Sequence, residues 1–364
     1  MKKIIFLFLI LIQNCFSQGL QLTETAKISV LTCGRGYQEL YMTYGHTAIR
    51  VQDVERQLDV VFNYGNFDFR EGNFYLKFIK GDLEYFVAVI PFNDFVTEYQ
   101  MQNREVIEQT LNLNPAQKQE VFNELNNSLL PENRFYTYKF IDRNCTTLAK
   151  EKIEKALRIK IEKIDDKSIT YRELLYPYFD DFFYFKLGIN IIFGAKTDEK
   201  ATQLFLPVEL QHSLDKYKLA EQPLVKKTET IVTQTPEPKK GFSFFNSIYF
   251  IITVLVIVLI LNKKIINNSV LILFGLLGLF LCLVGLYSLH KEVLWNYNAL
   301  LFNPLFVLLP FLNGKNFRKL YYIVCLCLVA YIVIMLNKPH IYLMLPFIIT
   351  TGILVVRSKK LYWN

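Results

Sequence analysis

Charge is scarce in the last third of the sequence. Of the 364 residues, 246–364 carry only eleven charged side chains, whereas 63 lie in the first 245. This scarcity excludes a soluble globular fold for the last third, and its long apolar runs are typical of membrane helices. An overall content of 52% hydrophobic and 15% aromatic residues also excludes an intrinsically disordered chain.

Histidine and cysteine are also few, with four His and six Cys in the whole chain. They form no cluster with the ligand spacing of a metal site. We therefore expect no metal and no other cofactor. Three of the cysteines, Cys282, Cys325 and Cys327, fall inside apolar runs, where packing is the expected role.

The first 17 residues have the pattern of a secretory signal peptide. Two lysines precede an apolar run over 4–12, and Cys15 and Ser17 are small residues at positions −3 and −1 of a cut after Ser17. The apolar run is too short to span a bilayer. An uncleaved anchor, or a lipoprotein signal in which Cys15 is lipidated, remains an alternative.

The last part of the chain, 244–364, reads as a membrane domain with five spans. Their lengths are near the lower end of the ~17–25 residues that a span needs. The predicted spans are 244–261, 269–289, 295–312, 320–336 and 341–356. Eight basic residues fall in the first loop, the third loop and the tail, against two in the other loops. The positive-inside rule puts these eight in the cytoplasm. The C-terminus is then cytoplasmic and the N-terminal part lies outside, as a signal peptide requires.

The net charge of +8 on its own could indicate nucleic-acid binding. Most of the excess positive charge lies in the membrane loops and the signal, and 18–245 carries a net charge of −3. We therefore expect no nucleic-acid partner, and an inner-membrane location with an outward domain.

The exported domain, 18–218, has a mixed α and β pattern, and 219–243 reads as a linker because it is rich in Pro and Thr. A composition rich in Val, Ile and aromatic residues predicts strands over 28–31, 48–51 and 58–64, and more weakly over 74–79 and 85–90. Helical periodicity covers 115–129, with Pro115 at its start, and 145–159, with Asp142 or Asn144 as its cap.

Cys33 and Cys145 are the two cysteines of this domain, and outside the cytoplasm a disulfide is their default state. The alternative is that Cys145, at the start of a predicted helix, is a reactive thiolate. A reactive cysteine needs a base, and His46 at the edge of a strand is a candidate. His212 lies in no motif, and a surface role is expected for it.

Four segments of the exported domain resemble the Lnb N-terminal periplasmic domain. They are Leu-Thr-Cys-Gly at 31–34, Tyr-Gly-His-Thr-Ala-Ile-Arg-Val at 44–51, Phe-Asn-Tyr-Gly-Asn-Phe-Asp-Phe at 62–69 and Arg-Asn-Cys-Thr-Thr at 143–147. The order of His before Cys is similar to circularly permuted papain-like folds of the NlpC/P60 and lecithin:retinol acyltransferase kind. The membrane part, with 290–298 on its outer face, also looks like the membrane part of full-length Lnb proteins.

The resemblance implies an α+β, circularly permuted papain-like (NlpC/P60-like) periplasmic domain followed by a five-helix all-α transmembrane domain. It also implies a lipoprotein N-acyltransferase of Bacteroidetes. Cys145 would take a fatty acyl chain from a phospholipid as a thioester and pass it to the α-amine of a diacylglyceryl-Cys lipoprotein. His46 would be the base, and Asn63 the third residue, with Asp53 and Asp68 as further candidates.

Several polar residues are candidates for substrate binding. They are Tyr44, Arg50 and Asn144 in the exported domain and His290, Asn296 and Asn298 in the outer segment, 290–298. A strand-surface salt bridge is the alternative for Arg50, and interfacial anchoring is the alternative for the outer segment. Two other functions stay open, a cell-wall amidase or peptidase of the NlpC/P60 type and a non-enzymatic lipid- or lipoprotein-binding protein.

Overall fold

In a computed structural model, the chain is described over residues 20–68, 70, 72–180, 182–236 and 241–362. The predicted signal peptide, 1–17, lies outside these residues. The described chain has mixed α and β structure, with a sheet domain at the N-terminal side and apolar helices at the C-terminal side.

A seven-stranded antiparallel sheet, in the order β6-β4-β3-β2-β1-β5-β9, forms the frame of the N-terminal domain. Its strands are β1 (Lys27–Cys33), β2 (His46–Asp53), β3 (Leu58–Asn66), β4 (Glu84–Pro91), β5 (Val106–Leu111), β6 (Phe135–Thr137) and β9 (Val225–Val232), and β7 (Lys218–Leu219) and β8 (Gln222–Pro223) form a small hairpin. The predicted strands at 28–31, 48–51, 58–64 and 85–90 are confirmed by β1 to β4.

Helices cover both faces of the sheet. They are α1 (Phe74–Lys80), α2 (Phe92–Met101), α3 (Pro115–Asn127), α4 (Pro131–Arg134), α5 (Cys145–Leu157), α6 (Tyr171–Leu175), α7 (Phe183–Ile192) and α8 (Pro207–Lys216). The larger core joins the sheet to α3, α5 and α8, through residues such as Phe122, Ile153 and Leu210. A smaller core on other strand positions takes Phe95 and Tyr99 of α2. Both predicted helices are confirmed, and Pro115 is the first residue of α3.

The weaker strand prediction over 74–79 is wrong, because this segment is helix α1. The helix ends at Gly81, whose left-handed backbone (φ 75°) caps it. Its last carbonyls accept hydrogen bonds from Ser288 and Leu289, far away in the sequence. The apolar and aromatic composition of the segment suits a strand as well as a helix, and the hydrogen bonds from 288–289 support the helix.

The segment predicted as a linker, 219–243, contains strand β9. This strand pairs with β5 from Val106 to Leu111 and forms one edge of the sheet. Most of its side chains are exposed, so its sequence, VKKTETIV, lacks the apolar alternation that would have marked it as a strand.

The C-terminal helices are α9 (Ile248–Leu261), α10 (Lys264–Tyr287), α11 (Asn298–Leu301), α12 (Gly314–Met335) and α13 (Ile341–Tyr362). Within the described ranges, α10, α12 and α13 are long and apolar enough to cross a membrane. A bent pair, Lys291–Leu301 with Pro304–Phe311, raises the number of candidate spans to four if the pair is counted as one span. Helix α9 is apolar but shorter than these. The chain is thus a membrane protein, but the predicted count of five spans is not confirmed. The predicted span 295–312 is bent by 48° because Asn303 and Pro304 interrupt it.

A buried polar cluster joins the two parts of the chain. Asp198 contacts Arg172 at 2.7 Å within the sheet domain, and it also contacts Lys338 at 2.6 Å. The Tyr297 hydroxyl donates to Asp198 at 2.8 Å and lies 3.0 Å from His340 Nε2. Two separate loops of the helical part therefore meet the same carboxylate of the sheet domain.

Candidate active site

Cys145 is the first residue of helix α5. Asn144 caps the helix by accepting the Thr147 backbone N–H, while the Thr147 hydroxyl accepts the Asn144 N–H. This capping box fixes where the helix begins and hence where the thiol lies. The positive end of the helix dipole then lies at the sulfur and favours a thiolate.

His46 begins strand β2 and lies opposite Cys33 of β1. The residue before it, Gly45, has a left-handed backbone (φ 80°), and a Cβ there would lie 2.5 Å from the Cys33 carbonyl oxygen. Gly45 therefore allows the chain to turn close against β1 and enter β2 with His46 at the strand end.

Asn63 on β3 holds the imidazole of His46. The His46 Nε2–H donates to Asn63 Oδ1 at 2.6 Å, which leaves Nδ1 for the hydrogen bond with Cys145. The structure thus brings together Cys145, His46 and Asn63, the three residues that the sequence analysis put first. The other candidates for the third position lie elsewhere. Asp53 is at the far end of β2, bonded to Thr23, and Asp68 is paired with the exposed Arg70.

The contact between Cys145 and His46 changes the ionisation of both. Burial of the Cys145 thiol opposes its ionisation. The charge and hydrogen bond of His46, with hydrogen bonds from the Thr47 backbone and the Thr146 hydroxyl, outweigh burial and lower the thiol pKa to about 7. Burial likewise disfavours the charged imidazole. The nearby thiolate, with hydrogen bonds to Cys145 and Asn63, nevertheless raises the pKa of His46 above its ordinary value. The pair is therefore suited to a thiolate–imidazolium state near neutral pH.

Gly65 of β3 lies against both His46 and Cys145. It has a positive φ of 96°, and a Cβ at this position would lie 3.6 Å from His46 Cε1 and 3.7 Å from Cys145 Cβ. Gly65 is not among the predicted site residues, although a glycine inside a strand pattern indicates a close approach of this kind.

Three tyrosines next to the thiol were also missed. Tyr85, Tyr136 and Tyr138 interact electrostatically with Cys145, and burial raises the pKa of each above its ordinary value. The rings of Tyr85 and Tyr138 stack with centroids 4.6 Å apart. They give the thiol an aromatic neighbourhood that suits an apolar substrate group. They come from three separate segments that only the fold brings together.

Arg50 does not reach the Cys145–His46 pair. It is buried four residues along β2, where it bonds Asp59 at 2.7 Å and Glu108 at 3.0 Å, and its guanidinium lies over the Phe92 ring. Its donors are taken up inside the protein, as the salt-bridge alternative predicts.

Tyr44 and Asn144 adjoin the site, but each has an internal role. Tyr44 packs in an aromatic group with Phe140, Tyr178 and Phe179. Asn144 caps α5, and its amide donates to the carbonyls of Phe140 and Phe205. His212 is half exposed on α8, 3.4 Å from an Asp165 oxygen, which fits the surface role expected of it.

The three outer-segment candidates donate to backbone carbonyls at the ends of two helices. His290 Nε2–H donates to the Phe78 carbonyl of α1 at 3.0 Å. Asn296 donates to the Ile191 and Ile192 carbonyls at the end of α7, and Asn298 to Asn190 and Ile191. These side chains fasten the sheet domain to the helical part, and they are not gathered at Cys145.

Cys33 and Cys145 are both free thiols, so they form no disulfide here. Burial raises the pKa of Cys33 to about 12, against about 7 for Cys145. Across the part of the chain that is described, no group of three or more His, Cys, Asp or Glu side chains could hold a metal ion.

The comparisons with known proteins find a match to a family model. No curated protein and no solved structure matches the chain. A family model, the Lnb N-terminal periplasmic domain, matches residues 21–176, a range that contains His46, Asn63 and Cys145. Residues 21–176 are thus similar to the Lnb N-terminal periplasmic domain, the domain that the four segments also resemble.

Proposed function

We propose that this protein is a membrane-bound lipoprotein N-acyltransferase with Cys145 as its nucleophile. The observation that carries the proposal is the chain of contacts from Cys145 to His46 to Asn63, in which the thiol pKa is about 7. It occurs in an Lnb periplasmic domain that is attached to apolar helices. A thiolate, a base and an orienting amide are the parts that acyl transfer through a thioester needs.

In the first half-reaction the Cys145 thiolate attacks the carbonyl carbon of a phospholipid ester. The ester C–O bond breaks, the acyl chain stays on sulfur as a thioester, and the lysophospholipid oxygen leaves with the proton of the His46 imidazolium. The N–H groups of the first helical turn have no intrahelical acceptor, so the Cys145 amide is available to the developing oxyanion.

In the second half-reaction the α-amine of a diacylglyceryl-Cys lipoprotein attacks the thioester carbonyl. Neutral His46 takes the proton that the amine loses, the C–S bond breaks, and the thiolate is restored beside the imidazolium. Asn63 holds the ring through Nε2 in both halves, so that Nδ1 serves the proton transfers.

The proposal includes five membrane passes with the sheet domain outside the inner membrane. Contacts across the chain support this arrangement. Glu292 and Lys338, from the two loops assigned to the outer side, both contact the sheet domain. Arg357 donates to the Leu259 carbonyl, which joins the ends of α9 and α13 on the opposite side. Counting α9 and the bent pair as spans gives this odd number of passes.

The test is N-acylation of lipoproteins in a strain depleted of its own lipoprotein N-acyltransferase, read by mass spectrometry of lipopeptides. Wild-type protein should add one acyl chain, and Cys145→Ala and His46→Ala should add none. Cys33→Ala is the matched control, since it removes the domain's other thiol and should leave the product intact. No added chain with wild-type protein, or a product retained in Cys145→Ala, would overturn the proposal. Released cell-wall fragments without N-acylation would indicate an amidase instead.

A further inference from the structure

Two short helices of the sheet domain expose apolar side chains that the proposed chemistry does not use. Helix α1 exposes Leu76 (59%), Phe78 (42%) and Ile79 (41%). Helix α7 exposes Tyr184 and Phe185, each by 45%. Apolar and aromatic side chains grouped in this way on short surface helices mark an interaction surface.

Both helices are tied to the outer end of the helical part by one segment, 288–298. Ser288 Oγ–H donates to the Ile79 carbonyl of α1 at 2.8 Å, directly after helix α10 ends. Asn296 donates to the Ile191 carbonyl of α7 at 2.8 Å. Near its own end, α10 exposes Leu286 (87%) and Tyr287 (51%), which on a membrane span face lipid. The C-terminal ends of α1 and α10 are therefore neighbours, and each helix exposes apolar side chains near that end.

A few residues before α1, an aromatic path leads from the exposed Tyr41 toward the thiol. The chain runs from Gly65, beside Cys145, into Phe67 and then into α1. The Phe67 ring lies 5.1 Å from Tyr85, one of the tyrosines around the thiol, and 5.9 Å from the exposed Tyr41.

A second path leads in from α7. The Phe185 ring lies 6.4 Å from Phe179, which lies 5.8 Å from Tyr44, two residues before His46. Aromatic side chains thus connect the reacting pair with α7, and on the other side they end at Phe67, seven residues before α1 begins. Both helices are held by the segment that follows span α10.

We propose that α1 and α7 insert their exposed side chains into the outer leaflet, and that the Cys145 site takes its acyl donor from the lipid phase between them. Short segments with apolar and aromatic side chains bind at this depth, and aromatic rings favour the headgroup boundary. Insertion at the membrane surface stands on the contacts, whereas the assignment to the outer leaflet and the entry of the acyl donor rest on the proposed function.

Insertion can be measured on the full chain in phosphatidylcholine vesicles brominated in the upper acyl chain, which quench nearby tryptophan. Leu76→Trp and Phe185→Trp are made in a background where Trp295 and Trp363 are Phe. Val54→Trp is the matched control, since Val54 is 75% exposed at the far end of β2, about 25 Å along the strand from His46. We expect at least a threefold greater loss of fluorescence at 76 and 185 than at 54. Equal quenching at all three positions would overturn the insertion.

Entry from the lipid phase is measured by acylating Cys145 with two donors. Leu76→Asp should slow thioester formation from vesicle phospholipid at least tenfold, and leave acylation by water-soluble p-nitrophenyl acetate within twofold of wild type. Loss with both donors, or with neither, would overturn the lipid-side entry. If wild-type protein is not acylated by phospholipid at all, the proposed function fails, while the quenching result still decides insertion.

Discussion

The reactivity of Cys145 should depend on the charge of His46, and His46→Gln tests this directly. Glutamine keeps a polar side chain of similar reach but cannot become a cation. Because burial alone raises the pKa of the thiol, removing the cation should move the Cys145 pKa from about 7 to its ordinary value of 9.0 or above. A shift of two units is about 2.7 kcal/mol of stabilisation of the thiolate.

The effect on rate is smaller than the effect on ionisation. At pH 7 about half of Cys145 is thiolate in the wild type and about one part in a hundred in the variant. The more basic thiolate is also roughly six- to tenfold more nucleophilic toward a disulfide. The variant should therefore react about five- to eightfold more slowly at pH 7, and faster than wild type once its own thiol has ionised.

The assay is reaction with a small water-soluble disulfide between pH 5 and 10 on detergent-solubilised full chain, followed by peptide mass spectrometry. Cys145→Ser gives the background from the other thiols, and Cys33 should stay unlabelled because it is buried and its pKa is about 12. Since the folded pKa is depressed, wild-type reactivity should rise with pH through about 7. An unchanged midpoint in His46→Gln would refute the ion-pair reasoning.

Two further predictions concern positioning and cohesion. Asn63→Ala removes the 2.6 Å bond to His46 and should slow single-turnover thioester formation about tenfold to a hundredfold, as expected for about 1.5–3 kcal/mol. Asn63→Asp, which keeps the acceptor, should stay within tenfold of wild type; an Ala variant at the wild-type rate would contradict the positioning role. Asp198→Ala leaves buried cations without their carboxylate and should lower the free energy of unfolding by about 3 kcal/mol in thermal or denaturant unfolding, without moving the Cys145 pKa. Asp68→Ala is the control, because its ion pair is exposed and its loss should leave the free energy of unfolding nearly unchanged; equal losses in the two variants would contradict this account.

The three residues of the candidate site could be predicted from the sequence because their signals are local. Asn144 before Cys145 marks a helix start, and a helix start favours a thiolate. His46 opens a strand whose composition predicts it, and Asn63 lies on the next strand along the chain. Antiparallel neighbours joined by a short turn lie side by side, so this pairing needs little long-range information.

Elements stabilised by distant contacts were predicted less well. The sequence of the α1 segment predicts a strand, although it is a helix whose carbonyls accept hydrogen bonds from residues about 210 positions later. The sequence of strand β9 predicts a linker, because an exposed edge strand needs no apolar pattern, only an unpaired neighbour such as β5. The bent pair is predicted as a straight span because its apolar length alone matches one.

The division into a charged part and an apolar part, the resemblance to the Lnb periplasmic domain and the choice of Cys145 and His46 as candidates follow from the sequence, because composition, motifs, capping and strand order are local properties. What surrounds that pair depends on the tertiary structure. It left Cys33 and Cys145 as free thiols, tied Arg50 into an ion cluster and turned His290, Asn296 and Asn298 to helix ends. The physical reason is that a polar side chain goes to whichever partner the fold brings within hydrogen-bond distance, and that partner is set by residues far away in the sequence.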